Sequence, residues 1–192
     1  MPIPEPGPNV PRRGGALRAA LGRFTLRLHG WKIEGNLPDL PKMLIIAAPH
    51  SSNWDFVLGI AIVFAMRLDL RFLGKAEVFR WPLGVLMRWF GGTPVNRAHP
   101  EGIVEETVAH IKASPAFLLA MAPEGTRKPV ERWKTGFYRI AMAAGIPIVA
   151  GYFDNKRKCV GFGAVFHPTG NTEPEIDQMR AFYRGFPRRD AR

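Results

Sequence analysis

His50 and Asp55 are the residues whose types and spacing most directly suggest catalysis. Residues 43–48 form an apolar run that predicts a strand, and His50 follows its end after one proline. Parallel α/β sheets place their functional sites beyond the carboxyl ends of strands, so this position favours a site. On one continuous helix the two side chains would diverge by about 140°. They can meet only if the chain turns at residues 51–53, where the sequence Ser-Ser-Asn permits a turn.

A histidine held by a carboxylate can act as a general base. The carboxylate fixes the tautomer of the imidazole and favours the imidazolium that forms, and the second ring nitrogen accepts a proton from an attacking hydroxyl. The spacing alone also permits a simpler interpretation. In that interpretation, Asn53 or Asp55 caps the following helix beside a surface histidine.

A second polar segment, Ala-Pro-Glu-Gly-Thr-Arg at residues 122–127, follows an apolar run that predicts another strand. A turn at Gly125 with free backbone N–H groups, the hydroxyl of Thr126 and the guanidinium of Arg127 suit a cluster of anionic oxygens. Glu124 is expected either to orient Arg127 or to bond a substrate hydroxyl. The alternative for the whole segment is a solvated polar turn.

Two further segments are less specific. Residues 91–97 (GGTPVNR) predict a short strand that ends at Arg97, whose planar guanidinium can bind phosphate with two hydrogen bonds. The alternative is a surface arginine on a basic protein. Residues 145–150 (GIPIVA) lead into a buried strand, and they form either plain core or a wall of an acyl-binding site.

The elements around these segments alternate between strand and helix. Strand patterns cover residues 43–48, 70–74, 93–96, 116–121, 147–153 and 158–166, and helix patterns cover residues 15–28, 54–66, 78–90, 100–113 and 134–144. This alternation predicts an α/β fold with a central, mostly parallel or mixed sheet flanked by helices. An amphipathic helix is predicted to precede it.

The chain is expected to divide into four parts. They are a disordered proline-rich arm (1–13), a basic amphipathic helix (14–30), the main domain (31–185) and a basic tail (186–192). No signal peptide or membrane-spanning helix is predicted, because the longest apolar run, 56–66, is far shorter than the roughly 20 residues that a span needs.

The charge of the chain favours anionic partners. The formal net charge of the 192 residues is +11, and the single cysteine, Cys159, excludes an internal disulfide framework. The basic helix can lie in a bilayer interface with anionic headgroups, or it can be an ordinary docked helix. The histidines and the cysteine lack metal-ligand spacing, so no metal and no cofactor are predicted. No helix-turn-helix or RNA-binding aromatic motif is present, and no nucleic-acid partner is expected.

The order of the four segments resembles the glycerolipid acyltransferase family, which includes bacterial lysophosphatidic acid (1-acylglycerol-3-phosphate) acyltransferases. The matching blocks read PHSSNWD, GGTPVNR, APEGTRK and GIPIVAG. The resemblance implies that His50 is the general base and Asp55 its partner. It also implies that the acceptor headgroup is bound by four residues of the later blocks, Arg97, Glu124, Gly125 and Arg127, in a site where Thr126 supplies a hydroxyl.

The resemblance further implies a fatty acyl transfer from acyl-CoA or acyl carrier protein, as co-substrate, to the hydroxyl of a lysophospholipid. The expected location is the inner face of the cell membrane, on the cytoplasmic side. Pro49 and Asn96 depart from the residues common at their positions, which leaves the acceptor open. The alternatives are another lyso-lipid such as a lyso-amino-acid lipid, hydrolysis of the thioester by water, or a non-catalytic basic module that binds membrane or nucleic acid.

Overall fold

A single seven-stranded sheet organises the chain in the computed structural model, which describes residues 3–95 and 100–186. The strands lie in the order β1-β7-β6-β2-β5-β3-β4. Their bounds are β1 Lys32–Glu34, β2 Lys42–Ala48, β3 Leu70–Lys75, β4 Gly92–Val95, β5 Phe117–Met121, β6 Ile148–Asp154 and β7 Cys159–Phe166. Strands β2 to β6 run parallel to one another, and β7 is antiparallel to β6. The prediction of a mostly parallel or mixed sheet flanked by helices is confirmed.

Within the described residues, six α-helices connect and flank the strands. Their bounds are α1 Ala16–Leu28, α2 Asn53–Ala65, α3 Leu83–Trp89, α4 Pro100–Ala113, α5 Gly136–Ala144 and α6 Thr172–Tyr183. The predicted helix over residues 78–90 is instead a short 3₁₀ turn, Ala76–Phe79, followed by α3, because Pro82 lacks the N–H that a continuous helix requires. Helix α5 ends at Gly145, which adopts the left-handed conformation expected of a helix C-cap.

Both faces of the sheet are covered, and β2 shows this residue by residue. Met43 and Ile45 point into the core shared with α1 and α2, whereas Leu44 and Ile46 point into the core shared with α4, α5 and α6. Successive side chains of a strand alternate between faces. A strand buried on both faces therefore needs an uninterrupted apolar sequence, as residues 43–48 have.

Residues 3–13 of the predicted N-terminal arm are packed on the domain, in contrast to the disorder predicted from the prolines. Val10 is only 2% exposed. The Arg13 N–H donates to the Arg67 carbonyl at 2.8 Å, and the Asp69 N–H donates to the Pro11 carbonyl at 2.9 Å. Proline excludes a helix here, but the extended backbone that it favours can still pair with a neighbouring segment.

Two elements carry too little local signal to be predicted from the sequence. Strand β1 has only three residues, and α6 is largely polar with three buried side chains, Ile176, Met179 and Tyr183. Phe186, the first residue of the predicted basic tail, stacks on Tyr152 with 4.2 Å between ring centroids. The other tail residues lie outside the described ranges.

Candidate active site

His50 and Asp55 lie together at the edge of the sheet where β2 ends. Strand β2 stops at Ala48, and helix α2 begins at Asn53, so the chain turns between the two residues. His50 Nδ1 lies 3.6 Å from Asp55 Oδ2. This distance suits an ion pair but exceeds a hydrogen bond, and such contacts shorten in substrate complexes. The turn proposed from the Ser-Ser-Asn sequence therefore forms and brings the two side chains into contact.

The Asp55 carboxylate also caps helix α2. Its Oδ2 accepts hydrogen bonds from the N–H groups of Ser51 at 2.6 Å and Ser52 at 2.7 Å. The Ser52 hydroxyl completes a capping box at the first turn of the helix. Asp55 therefore both caps the helix and contacts His50, and the cap fixes the carboxylate in a side chain that is fully buried.

Glu124 joins the second polar segment to the first. It follows β5, which pairs directly with β2, and its Oε2 accepts a hydrogen bond from the main-chain N–H of His50 at 2.8 Å. Glu124 is buried, so this bond to a charged acceptor is well shielded from water. The sequence suggested contacts from Glu124 to Arg127 or to substrate, and the structure adds a direct contact with the backbone of His50.

The loop that follows Glu124 is a tight turn that presents Thr126 and Arg127 at the surface. Gly125 has a φ of +64°, which glycine adopts without strain. The Gly125 N–H donates to the Ala122 carbonyl at 3.0 Å, so it is used within the loop, in contrast to the free N–H groups expected from the sequence. The Lys134 side chain lies across the turn, since a Cβ placed on Gly125 would be 2.8 Å from Lys134 Cε.

Lys75 is a candidate that sequence analysis did not identify. It is the last residue of β3, which pairs in parallel with β5, so it lies at the same sheet edge as the loop after β5. Its side chain is exposed. The sequence feature that could have identified Lys75 is the one that identified Arg127, namely a cation at the end of a predicted strand. Arg97, the other predicted cation, lies outside the described residues.

The segment predicted as core or acyl-site wall enters β6, every residue of which is buried. It pairs with β2 from Leu44 to Ala48, directly behind His50. A group of three or more His, Cys, Asp or Glu side chains placed to hold a metal ion does not occur within residues 3–95 and 100–186.

An apolar cavity of about 350 Å³ begins at the residues that directly follow Asp55 on α2. It lies between helices α1, α2 and α3, and its volume falls in the range of small-molecule sites. Its lining residues are Leu21, Gly22, Thr25, Phe56, Val57, Ile60, Ala61, Phe64, Leu86, Trp89 and Phe90.

Comparison with known proteins gives consistent results. The family model described as "Acyltransferase" matches residues 32–153. The chain is similar to the 1-acyl-sn-glycerol-3-phosphate acyltransferase of Escherichia coli (strain K12), with 29% identity over 152 residues, which cover 74% of this chain and 60% of that protein. The protein of the same name from Salmonella typhimurium is 28% identical over 152 residues, with the same coverage of both chains. The chain thus spans 60% of the length of these curated relatives.

A solved structure shares the fold. The crystal structure of the 1-acyl-sn-glycerophosphate (LPA) acyltransferase, PlsC, from Thermotoga maritima matches with a TM-score of 0.63 and 18% sequence identity. The match covers 88% of this chain and 76% of that one.

Proposed function

The chain belongs to the acyltransferase family, and from this premise we propose that it moves a fatty acyl group to a lysophospholipid hydroxyl. The acyl donor in this proposal is acyl-CoA or acylated acyl carrier protein. The acceptor is a lysophospholipid such as 1-acylglycerol-3-phosphate. The observation that carries the proposal is the contact between His50 and Asp55 at the carboxyl edge of the sheet, 3.6 Å apart.

The proposed reaction uses His50 as a general base. The acceptor hydroxyl oxygen attacks the thioester carbonyl carbon while His50 takes the hydroxyl proton. Because Nδ1 faces Asp55, Nε2 is the nitrogen that takes it. The tetrahedral intermediate then collapses, the carbon–sulfur bond breaks, and the thiolate leaves with the proton that His50 returns. The Asp55 carboxylate stabilises the imidazolium between these steps.

The headgroup of the acceptor is proposed to bind over the ends of β5 and β3. Arg127 follows β5 and Lys75 ends β3, whereas His50 follows β2 on the other side of β5. A phosphate held by these cations would place the glycerol hydroxyl toward the histidine. Within this site Gly125, Thr126 and Arg97 remain proposed headgroup contacts.

The acyl chain is proposed to occupy the apolar cavity between α1, α2 and α3. The cavity is lined by Phe56 and Val57, which follow Asp55 directly on α2. Its lining exposes almost exclusively apolar atoms, which suits a hydrocarbon chain.

Helix α1 supports a role at the membrane surface. Its buried face consists of Ala19, Gly22 and Leu26, which pack on the domain. Its bulky apolar stripe lies about 160° away around the helix and is exposed (Leu17, Leu21, Phe24 and Leu28). An exposed stripe of this kind, flanked by arginines, is typical of an interfacial helix. None of the helices in residues 3–95 and 100–186 is long and apolar enough to cross a bilayer.

The proposal is tested by a thiol-release screen of the purified protein with acyl-CoA and acyl carrier protein donors against a panel of lyso-lipids. We expect both free thiol and an acylated acceptor. His50→Ala should lose at least 100-fold in turnover, because general-base catalysis contributes about 10²–10⁴-fold. His167→Ala, at an exposed histidine after β7, is the matched control and should retain wild-type activity.

Three outcomes would contradict the proposal. Wild-type turnover by His50→Ala would show that His50 is not the general base. Free fatty acid without acylated acceptor would indicate thioester hydrolysis instead. Absence of thiol release with every donor, together with salt-sensitive binding to nucleic acid, would indicate a non-catalytic basic module.

A further inference from the structure

Residues 80–89, which contain helix α3, expose an unusual number of bulky apolar side chains. Trp81 is 87% exposed and Val85 is 66% exposed, values expected of polar surface residues. Leu83, Leu86 and Trp89 are each more than two-fifths exposed. Exposure of such side chains to water is unfavourable in free energy. A cluster of them therefore indicates a surface that is covered by a partner.

Arg18 connects this surface to helix α1. Its guanidinium lies over the rings of Phe64 and Trp89, at 4.2 and 4.7 Å from the ring centroids. Its Nη2 also donates to the Trp89 carbonyl at 3.3 Å. Leu21 of α1 and Leu86 of α3 line the same cavity. The exposed side chains of Leu21, Leu86 and Trp89 all line this cavity, so the exposed apolar residues of α1 and those of residues 80–89 meet there in one apolar surface.

The charges on this surface identify the kind of partner. Residues 16–28 and 80–89 together contain five arginines and neither aspartate nor glutamate. They are Arg18, Arg23, Arg27, Arg80 and Arg88. An apolar surface whose own charged residues are all cationic is complementary to a bilayer interface, where acyl chains lie below anionic headgroups. Tryptophan is also enriched at that depth, because its ring is apolar and its N–H is polar.

We propose that residues 80–89 are a second membrane anchor, which inserts Trp81 and Val85 into the interface of an anionic bilayer beside α1. This inference deepens the proposed function and rests on it for the presence of a membrane partner. Helices α1 and α3 both line the cavity, so two anchors beside it hold its opening against the lipid surface. One amphipathic helix alone would leave the domain free to rotate about the helix axis.

The test uses the full chain and sedimentation with vesicles of equal parts phosphatidylglycerol and phosphatidylcholine. The variant Trp81→Ser/Val85→Ser removes two exposed apolar groups that do not line the cavity. We expect its apparent lipid affinity to fall about tenfold or more, since each buried group of this size contributes substantially. Val165→Ser, at an exposed valine of β7, is the matched control and should bind as the wild type does.

Activity toward detergent-dispersed acceptor separates this inference from the proposed function. The double variant should retain that activity while it loses vesicle binding. Vesicle binding by the wild type without acyl transfer would contradict the proposed function but would still support the membrane anchor. Wild-type affinity of the double variant for the vesicles would overturn the inference. A dimer in solution that dissociates in the double variant would also overturn it, because the surface would then cover a second copy of the chain.

Discussion

The main-chain N–H of His50 donates to Glu124 Oε2 at 2.8 Å, and this bond joins two polar segments that are 74 residues apart in sequence. It fixes the backbone of the residue after β2 to the loop after β5. The position of the imidazole thus depends on a buried carboxylate that belongs to a different strand connection.

Glu124 should be needed for the placement of His50 rather than only for substrate binding. We expect Glu124→Ala to lower kcat/KM by about 10- to 100-fold, because a hydrogen bond to a charged group contributes about 1.5–3 kcal/mol. Glu124→Gln keeps an acceptor and should lose less. Steady-state thiol release with both variants measures this, and equal losses in the two would contradict it.

Asp55 has two roles that substitution can separate. Asp55→Asn should lower kcat by at least 100-fold, since the imidazolium loses its carboxylate. Ser52→Ala removes the other side chain of the capping box and should cost about 1 kcal/mol of stability with kcat changed less than about threefold. Thermal unfolding and kinetics of the two variants check this. A similar loss of kcat in Ser52→Ala would indicate that Asp55 acts only as a helix cap.

Arg127 should act on the acceptor more than on the thioester. We expect Arg127→Ala to raise the KM for a phosphate-bearing acceptor about tenfold, because a charge-assisted contact to phosphate is lost. The affinity for bound thioester should change little. Lys128→Ala, at the adjacent exposed cation, is the control. An unchanged acceptor KM in Arg127→Ala would place the phosphate elsewhere.

Tyr183 should stabilise the sheet near the end of β2. Its buried hydroxyl donates to the Ile46 carbonyl at 2.9 Å on β2, the strand that leads to His50, and lies 3.0 Å from the Gly151 carbonyl on β6. Tyr183→Phe should lower the free energy of unfolding by about 1–3 kcal/mol, because buried acceptors lose a donor. The KM for acceptor should stay unchanged. Denaturant unfolding measures the first effect, and wild-type stability would argue against it.

Cys159 should be unreactive in the native protein. Burial, together with the neighbouring Glu34 carboxylate, raises the pKa of its thiol to about 11. At pH 8 the reactive thiolate is then on the order of one part in 10³. A disulfide reagent should therefore modify Cys159 slowly until urea unfolds the chain, and Glu34→Gln should speed the native reaction by lowering the pKa. Rapid modification of the folded wild type would contradict this.

The sequence alone determined most of the elements and the order of the polar segments. The apolar run at residues 43–48 predicts a strand buried on both faces, and β2 has this property. The segments after it and after residues 116–121 are predicted at strand ends, and parallel strands bring them to one edge. These features are local, since periodicity and turn residues act over only a few positions.

Only the tertiary structure decided which surfaces and partners these elements use. Periodicity marks the bulky stripe of α1 but not its direction, and the helix instead packs through Gly22, where a Cβ would lie 2.4 Å from the Ala61 carbonyl oxygen. The bond from His50 to Glu124 requires contacts between strands that are distant in sequence. The position of Lys75 at the same sheet edge as the loop after β5 requires such contacts too. Such contacts depend on close packing across the whole sheet, which local patterns do not encode.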